Sequence, residues 1–273
     1  MSVAAGDIRR SVDAVALWYH TIDLPGGIAT PGWFDLRPII DHMPWPDVRG
    51  RRCLDVGTYD GFLAFELERR GASEVVAVDI ADHSSWDWPA RARALGPERL
   101  AELAGPEKGE GFRVAREALG SSVQRVEVSA YDVDPADLGT FDVVVCGSLM
   151  LHLRDPVRAL EAIRGVCTGH FLSAETIVAD LALRFRRRAV VDFLGDDRLC
   201  QWWLPSPAAH RRMVEAAGFR IERHTRPYAI PFGVAHPPRA QRSPAEWRRR
   251  AAMRLAAGGD GVPHAAVLAA PEI

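Results

Sequence analysis

The sequence predicts an α/β fold: a mostly parallel, seven-stranded sheet with helices on both faces, an N-terminal helical lid and inserted helical segments. Three observations carry this. Short, continuous apolar runs alternate with helix-length segments, as expected for strands buried on both faces of a parallel sheet. Glycine and proline punctuate that alternation at the ends of the elements. At 273 residues, 48% of them apolar, the chain suffices for one large sheet-centred core and is short for two.

The elements follow in order. Residues 1–50 read as a lid or cap ahead of the first strand. Residues 52–57 (RCLDVG) form a first buried strand, followed by a tight turn and a helix to about Arg70, which Gly71 ends. Residues 74–80 (EVVAVDI), 123–129 and 141–148 (FDVVVCGS) are the second, third and fourth strands. A helix over 155–166 leads to a fifth strand at 170–177. Residues 206–217 form an amphipathic helix with Ser206 as N-cap, Pro207 in its first turn and Gly218 at its end. Residues 220–228 and 264–270 supply the last two strands. The segments 89–120 and 181–205 carry apolar residues and read as insertions, not linkers. The whole is read as one unit: lid 1–50, cofactor-binding core 51–180, substrate lid 181–205 and the rest of the sheet 206–273.

A net charge of -2 argues against a protein that binds nucleic acid through a uniformly basic surface. Lys108 is the only lysine, and the arginine tracts at 186–188 and 248–250 suit solvated helix faces. The cysteines Cys53, Cys146, Cys167 and Cys200 form no CxxC pair and no zinc spacing, so no metal is expected. The N-terminus lacks the apolar core of a signal peptide, and no apolar stretch reaches the roughly 18 residues that cross a bilayer. The expectation is a cytoplasmic protein without membrane contact.

The most informative segment is Cys53-Leu54-Asp55-Val56-Gly57-Thr58-Tyr59-Asp60-Gly61-Phe62. A strand ends near an acid, and two glycines bracket a turn before a helix. Glycine lets a ligand lie against the main chain, and Asp55 suits the ammonium of an amino acid moiety. A dinucleotide fingerprint needs glycines where Tyr59 and Phe62 stand, because its second glycine admits the pyrophosphate. S-adenosylmethionine has no pyrophosphate. Asp79, with Ile80 after it, closes the second strand about 20 residues beyond the turn, where an acid accepts from ribose hydroxyls; a plain strand-end cap is the other reading. Ser129-Ala130-Tyr131-Asp132 follows the third strand and can read an adenine edge. Cys146-Gly147-Ser148-Leu149 follows the fourth, where carbonyls can accept from the methionine ammonium. Together these four elements point to S-adenosylmethionine, with S-adenosylhomocysteine as product.

These residues resemble the Rossmann-like class I S-adenosylmethionine-dependent methyltransferases. FDVVVCGSLMLHLRDPVRALEAIR, HFLSAETI and WWLPSPAAHRRMVEAAGFRIE are similar to the tRNA (5-oxyacetic acid uridine) methyltransferase-like family, over roughly residues 15–230. The resemblance implies cofactor contacts at Asp55, Gly57, Tyr59, Gly61, Asp79, Ile80, Ala130, Tyr131, Asp132, Cys146, Gly147 and Leu149. It also implies that Tyr19, His20 and Trp33 fold over the site as a lid. Aromatic rings there would shield the sulfonium, or simply staple the cap to the core. The tRNA enzymes hold the carboxylate of a carboxylated cofactor with a basic side chain ahead of the core, a tyrosine beside the histidine after strand four, and a tail arginine. Here the tyrosine position is Leu151, the N-terminal segment has no lysine, and Arg242 is the nearest match to the tail arginine. Losing charge-assisted partners costs about 1.5–3 kcal/mol each, so ordinary methyl transfer is expected.

His152, after strand four, is the first candidate for general base, because imidazole titrates near neutral pH; a helix cap or packing under the lid is the bland alternative. Glu175, at the end of strand five, is the second, as base or substrate anchor, or as an arginine's ion-pair partner. Phe193, Trp202 and Trp203 in the 181–205 segment are expected to select the substrate as a lid, or to pad the core. The leading expectation is O- or N-methylation of a small molecule in secondary metabolism. The alternatives are a tRNA wobble-uridine (carboxy)methyltransferase, for which RNA would be the partner, and a non-catalytic cofactor-binding partner protein.

Overall fold

The computed structural model describes residues 5–236 and 244–272. Its strands are β1 (Asp23–Leu24), β2 (Ile28–Ala29), β3 (Arg52–Val56), β4 (Glu74–Asp79), β5 (Gln124–Glu127), β6 (Phe141–Gly147), β7 (Cys167–Thr176), β8 (Val191–Asp196), β9 (Gln201–Pro205), β10 (Phe219–His224), β11 (Tyr228–Ile230) and β12 (Val262–Pro271). The main sheet runs β10-β12-β7-β6-β3-β4-β5, with β11 paired to β12. The pairs from β7 through β5 are parallel, and β12 is antiparallel to β7, β10 and β11. The sheet is therefore the mostly parallel one that the sequence predicts. The chain enters at β3, builds outward through β4 and β5, then returns to β6 on the other side of β3. Strand order reverses there, which is where such sheets bind ligands at their carboxyl edge.

The apolar runs are continuous because both faces are covered. Leu54, Val56, Val76, Val78 and Val144 pack on one side. Their neighbours Cys53, Val75, Ala77, Val143 and Val145 pack on the other. The first side meets the helices Pro156–Val166 and Pro207–Ala216. Both helices start as read: Asp155 accepts from the Arg158 N–H at 3.1 Å, and Ser206 from the Ala209 N–H at 3.2 Å. The second side meets the helix Phe62–Arg69 and the N-terminal cap. The cap is a helix, Ala5–Ala14, followed by the β1–β2 hairpin. A bridge from His20 to Phe34 closes it on itself, and one from Phe34 to Phe232 ties it to the C-terminal half of the chain. Gly233 is required beside it, since a Cβ there would lie 2.1 Å from the Gly32 carbonyl oxygen.

The 89–120 insertion is helical, with helices Ala90–Arg93, Pro97–Ala104 and Glu110–Leu119. The 181–205 insertion departs from its expected helical character. Only its start belongs to a helix (Ala179–Arg184); the rest is the β8–β9 hairpin, with Phe193 opposite Trp203. Aromatic and β-branched residues favour that pairing, and Gly195 and Cys200 take the positive φ (53° and 49°) that the connection needs. Residues 220–228 form two pieces rather than one strand, β10 and β11. Among the described residues, no helix is long and apolar enough to cross a membrane. Arg242 lies outside the described residues.

Candidate active site

Asp55 sits in β3 at the switch point, 1% exposed, and neither of its carboxylate oxygens has a hydrogen-bond partner. Burial is the main reason its pKa is raised, to about 7. The turn that follows is held from the neighbouring strand: the Gly57 and Thr58 N–H groups donate to the Val78 carbonyl at 2.8 and 3.2 Å. Gly57 has φ +80°, and a Cβ there would meet the Leu149 side chain at 2.9 Å. Tyr59 takes φ +52° without being glycine, an uncommon conformation for a residue with a bulky side chain. Its N–H donates to Asp79 Oδ2 at 2.8 Å. Gly61, at φ +93°, opens the helix Phe62–Arg69.

Asp60, within the same turn, escapes the sequence reading. It is 1% exposed and accepts from the Tyr19 and His20 N–H groups at 2.9 and 2.7 Å. It also pairs with His20 Nδ1. The turn that carries Asp55 therefore also docks the cap. Its partners lie some 40 residues earlier, so no local pattern announces them. The Tyr19 ring packs against Tyr59 at 4.9 Å and Phe34 at 5.0 Å.

Beneath the cap lies a cavity lined by Asp55, Gly57, Tyr19, His20, Gly147 and Ser148 on one side, and by Thr176, Tyr228 and His264 on the other. Of the expected cofactor residues, this cavity gathers Tyr19, His20, Asp55, Gly57 and Gly147. Leu149 packs on Gly57, and Cys146 is buried behind them, with burial raising its thiol pKa. Trp33 stands apart, edge-on to His236 at 6.5 Å and outside the cavity lining.

Asp79 ends β4 with both oxygens engaged. Oδ1 accepts from the Ile80 N–H at 2.8 Å and from Lys108 Nζ at 2.9 Å. The Lys108 ammonium lies 5.3 Å from the Tyr59 ring centre and 4.9 Å from that of Trp86. Beyond it, a groove of about 440 Å³ runs along the ends of β4 and β5, lined by Ile80, Ser129, Tyr131 and Asp132, with Arg158 at its rim. Ala130 is buried next to it. Tyr131 is fixed through its hydroxyl, which bonds Asp87 and accepts the Asp155 N–H at 3.0 Å.

The two catalytic candidates do not converge on the cavity. Glu175 is 1% exposed and accepts from the Leu149 and Met150 N–H groups at 3.4 and 3.3 Å. It thus braces the loop after β6, and burial raises its pKa to about 8. His152 donates from Nδ1 to the Cys200 carbonyl at 3.0 Å, and burial pushes its pKa down to about 4. It ties the hairpin to the post-β6 loop. The expected lid residues join it there: Trp202 Nε1 donates to the Asp87 carbonyl at 2.6 Å and Trp203 Nε1 to that of Arg154 at 3.1 Å. Phe193 packs on Trp203 at 4.9 Å. The hairpin thus lies beside the Trp88–Cys200 cluster and lines neither the cavity nor the groove.

His264, Tyr228 and the Ser148 side chain went unread in the sequence. Only topology finds them: an antiparallel strand begins where parallel strands end, so the start of β12 lies at the ligand edge.

A family profile described as "Methyltransferase domain" matches residues 35–224. The chain belongs to the methyltransferase domain family. The Dichelobacter nodosus tRNA U34 carboxymethyltransferase is 29% identical over 177 residues, covering 64% of this chain and 47% of that protein. The ubiquinone biosynthesis O-methyltransferase of Neisseria meningitidis serogroup C is 31% identical over 133 residues, covering 47% of this chain and 45% of that protein. This methyltransferase thus spans just under half the length of these relatives. Two solved structures share its fold. The N-terminal domain of EvdMO1, crystallised with S-adenosylhomocysteine and D-fucose, has TM-score 0.53 at 13% identity, covering 99% of this chain and 98% of that one. The methyltransferase bound to the Haloferax volcanii Trm112 activator has TM-score 0.51 at 16% identity, covering 87% and 88%.

The residues present fit S-adenosylmethionine, the cofactor expected from the sequence. An orphaned, buried carboxylate at Asp55 calls for a cation, which the methionine ammonium supplies.

Proposed function

We propose that this methyltransferase transfers a methyl group from S-adenosylmethionine to oxygen or nitrogen of a small molecule, in a tailoring step of secondary metabolism. The observation that carries the reading is the unpartnered Asp55 carboxylate facing a cavity whose lining, among the described residues, includes no lysine and no arginine. When bound, S-adenosylmethionine supplies a methyl carbon already activated by its sulfonium. The chain's own residues do the rest. Asp55 holds the ammonium, and the Tyr59 turn and Asp79 take the ribose side. The docked cap keeps water from the reacting atoms, and the cavity walls align the acceptor, the main requirement of an in-line displacement.

The relative named as a tRNA U34 carboxymethyltransferase supports a second reading, carboxymethylation of tRNA. A carboxylated cofactor needs a cation near the transferred group, at a cost of about 1.5–3 kcal/mol for each charge-assisted partner lost. Among the described residues, which do not include Arg242, the cavity lining offers none: His20 is already paired with Asp60, and Lys108 lies on the Asp79 side. Methyl transfer to a small molecule is therefore preferred. The test is incubation with methyl-labelled S-adenosylmethionine and fractionated metabolites and RNA from the source organism. Label in a small-molecule fraction supports the proposal, and label in RNA overturns it. Stoichiometric cofactor binding with no transfer to any fraction identifies a non-catalytic partner protein instead.

A further inference from the structure

The far wall of the cavity has a hydrogen-bonding pattern of its own. Tyr228 of β11 is paired in register with His264 of β12, and His264 with Thr176 of β7. Registered residues share a face of the sheet, so three strands present one row of polar side chains to the cavity. Ser148 faces them from the loop after β6, held at φ +52° with its N–H donating to the Ala174 carbonyl at 2.8 Å.

His264 decides where the protons of this row go. Its Nδ1 lies 2.9 Å from the Val262 carbonyl oxygen, which can only accept, so Nδ1 carries the proton. Nε2 is then left with one lone pair and no hydrogen. Ser148 Oγ lies 2.8 Å from it and donates; Thr176 Oγ1 lies farther, at 3.1 Å. With its proton committed to His264, the Ser148 oxygen has only lone pairs to offer the cavity. Tyr228 is the complement. It is 5% exposed, and its hydroxyl has no partner. A buried, unpaired hydroxyl costs about 1–3 kcal/mol, a cost that a ligand in the cavity relieves.

We propose that Ser148 and Tyr228 together read the nucleophilic group of the acceptor, and that this group is an uncharged hydroxyl. A hydroxyl both donates and accepts: it gives its proton to Ser148 Oγ and takes one from the Tyr228 O–H. A carboxylate only accepts, so its second oxygen would face the Ser148 lone pairs, beside the buried Asp55 carboxylate and with no lysine or arginine in the lining among the described residues. Carboxylates and phosphate esters are rejected at this wall, and small phenols and alcohols are admitted. The inference rests on the methyltransferase reading and specifies its acceptor.

The test uses the full chain saturated with S-adenosylhomocysteine, with phenol and benzoate as probes and binding followed by ligand-observed NMR. Phenol is expected to bind, and benzoate at least about tenfold more weakly. Tyr228→Phe, which keeps the ring and removes only the hydroxyl, and Ser148→Ala are each expected to weaken phenol about tenfold. S-adenosylhomocysteine affinity in Tyr228→Phe should stay within about twofold of the unsubstituted protein, which also shows that the variant is folded. Benzoate binding as tightly as phenol overturns the proposal, as does undiminished phenol binding by both variants. If the unsubstituted chain fails to bind S-adenosylhomocysteine, the methyltransferase reading itself has failed, a result separate from either outcome with the probes.

Discussion

The Lys108 ammonium lies 2.9 Å from Asp79 Oδ1, in the half of the cleft where the ribose hydroxyls are expected. Lys108 is 12% and Asp79 4% exposed at the side chain, so the pair is largely desolvated and each partner depends on the other. The chain's single lysine thus pairs with the acid proposed to take the ribose hydroxyls, framed by the Tyr59 and Trp86 rings. On that proposal, cofactor entry displaces it.

Replacing Lys108 with methionine should therefore raise affinity for S-adenosylhomocysteine by about tenfold, the equivalent of one charge-assisted hydrogen bond no longer broken on binding. The same variant should unfold at a lower temperature when ligand-free, since Asp79 loses a buried partner. Titration calorimetry and thermal unfolding measure the two effects. A fall in affinity would instead make Lys108 a cofactor contact.

Asp55 gives a pH dependence with a definite sign. Its pKa in the folded chain, about 7, lies above the ordinary carboxylate value of 3.8. The folded protein therefore holds more protons than the unfolded chain between those values, and stability falls as pH rises through that window. Glu175, raised from 4.5 to about 8, acts in the same direction. Urea midpoints should be lower at pH 8 than at pH 5, and Asp55→Asn should remove part of the difference. Binding an ammonium favours the ionised carboxylate. Near pH 6.5, calorimetry in two buffers of different ionisation heat should therefore detect proton release from the native protein and less from the variant.

Asp60→Ala should release the cap. The substitution leaves the Tyr19 and His20 N–H groups without their acceptor and the His20 imidazole without its carboxylate partner. A loss of about 3 kcal/mol or more is expected, lowering Tm by roughly 5–10 °C. Limited proteolysis should then cut the N-terminal segment first. Asp60→Asn keeps an acceptor oxygen and should lose about half as much.

His152→Ala should loosen the hairpin, because the imidazole Nδ1 holds the Cys200 carbonyl. Trypsin should cleave at the exposed Arg198 sooner than in the parent protein, and S-adenosylhomocysteine affinity should change little. Since burial holds the His152 pKa at about 4, this residue contributes no inflection to a rate profile between pH 5 and 9. A profile with a limb near 6.5 that disappears in the variant would restore His152 as the base.

What the sequence disclosed follows the range of the interactions involved. The strands around Asp55 and Asp79, the glycine turn, the helix that begins at Asp155 and the helix cap at Ser206 are written in contiguous residues, and they stand in the structure where the sequence puts them. The Asp60–His20 dock, the Lys108–Asp79 pair and the Ser148–His264–Tyr228 wall join residues 29 to 116 positions apart, and no local pattern encodes such pairs. The hairpin was missed for a different reason. A short apolar segment with scattered aromatics satisfies helix and strand templates alike, and the Phe193–Trp203 pairing decides between them only once the chain is folded.

The antiparallel entry of β12 divides the molecule's labour. The proposed donor contacts hang on the parallel strands β3 and β4 and their turns, while Tyr228 and His264 come from strands added at the other flank of the sheet. On the proposed assignment, changes around β11 and the start of β12 redirect which acceptor is taken while the donor side stays as it is. Variation concentrated in Tyr228–Ile230 and at positions 262–264 is the economical place to diversify this scaffold toward new products.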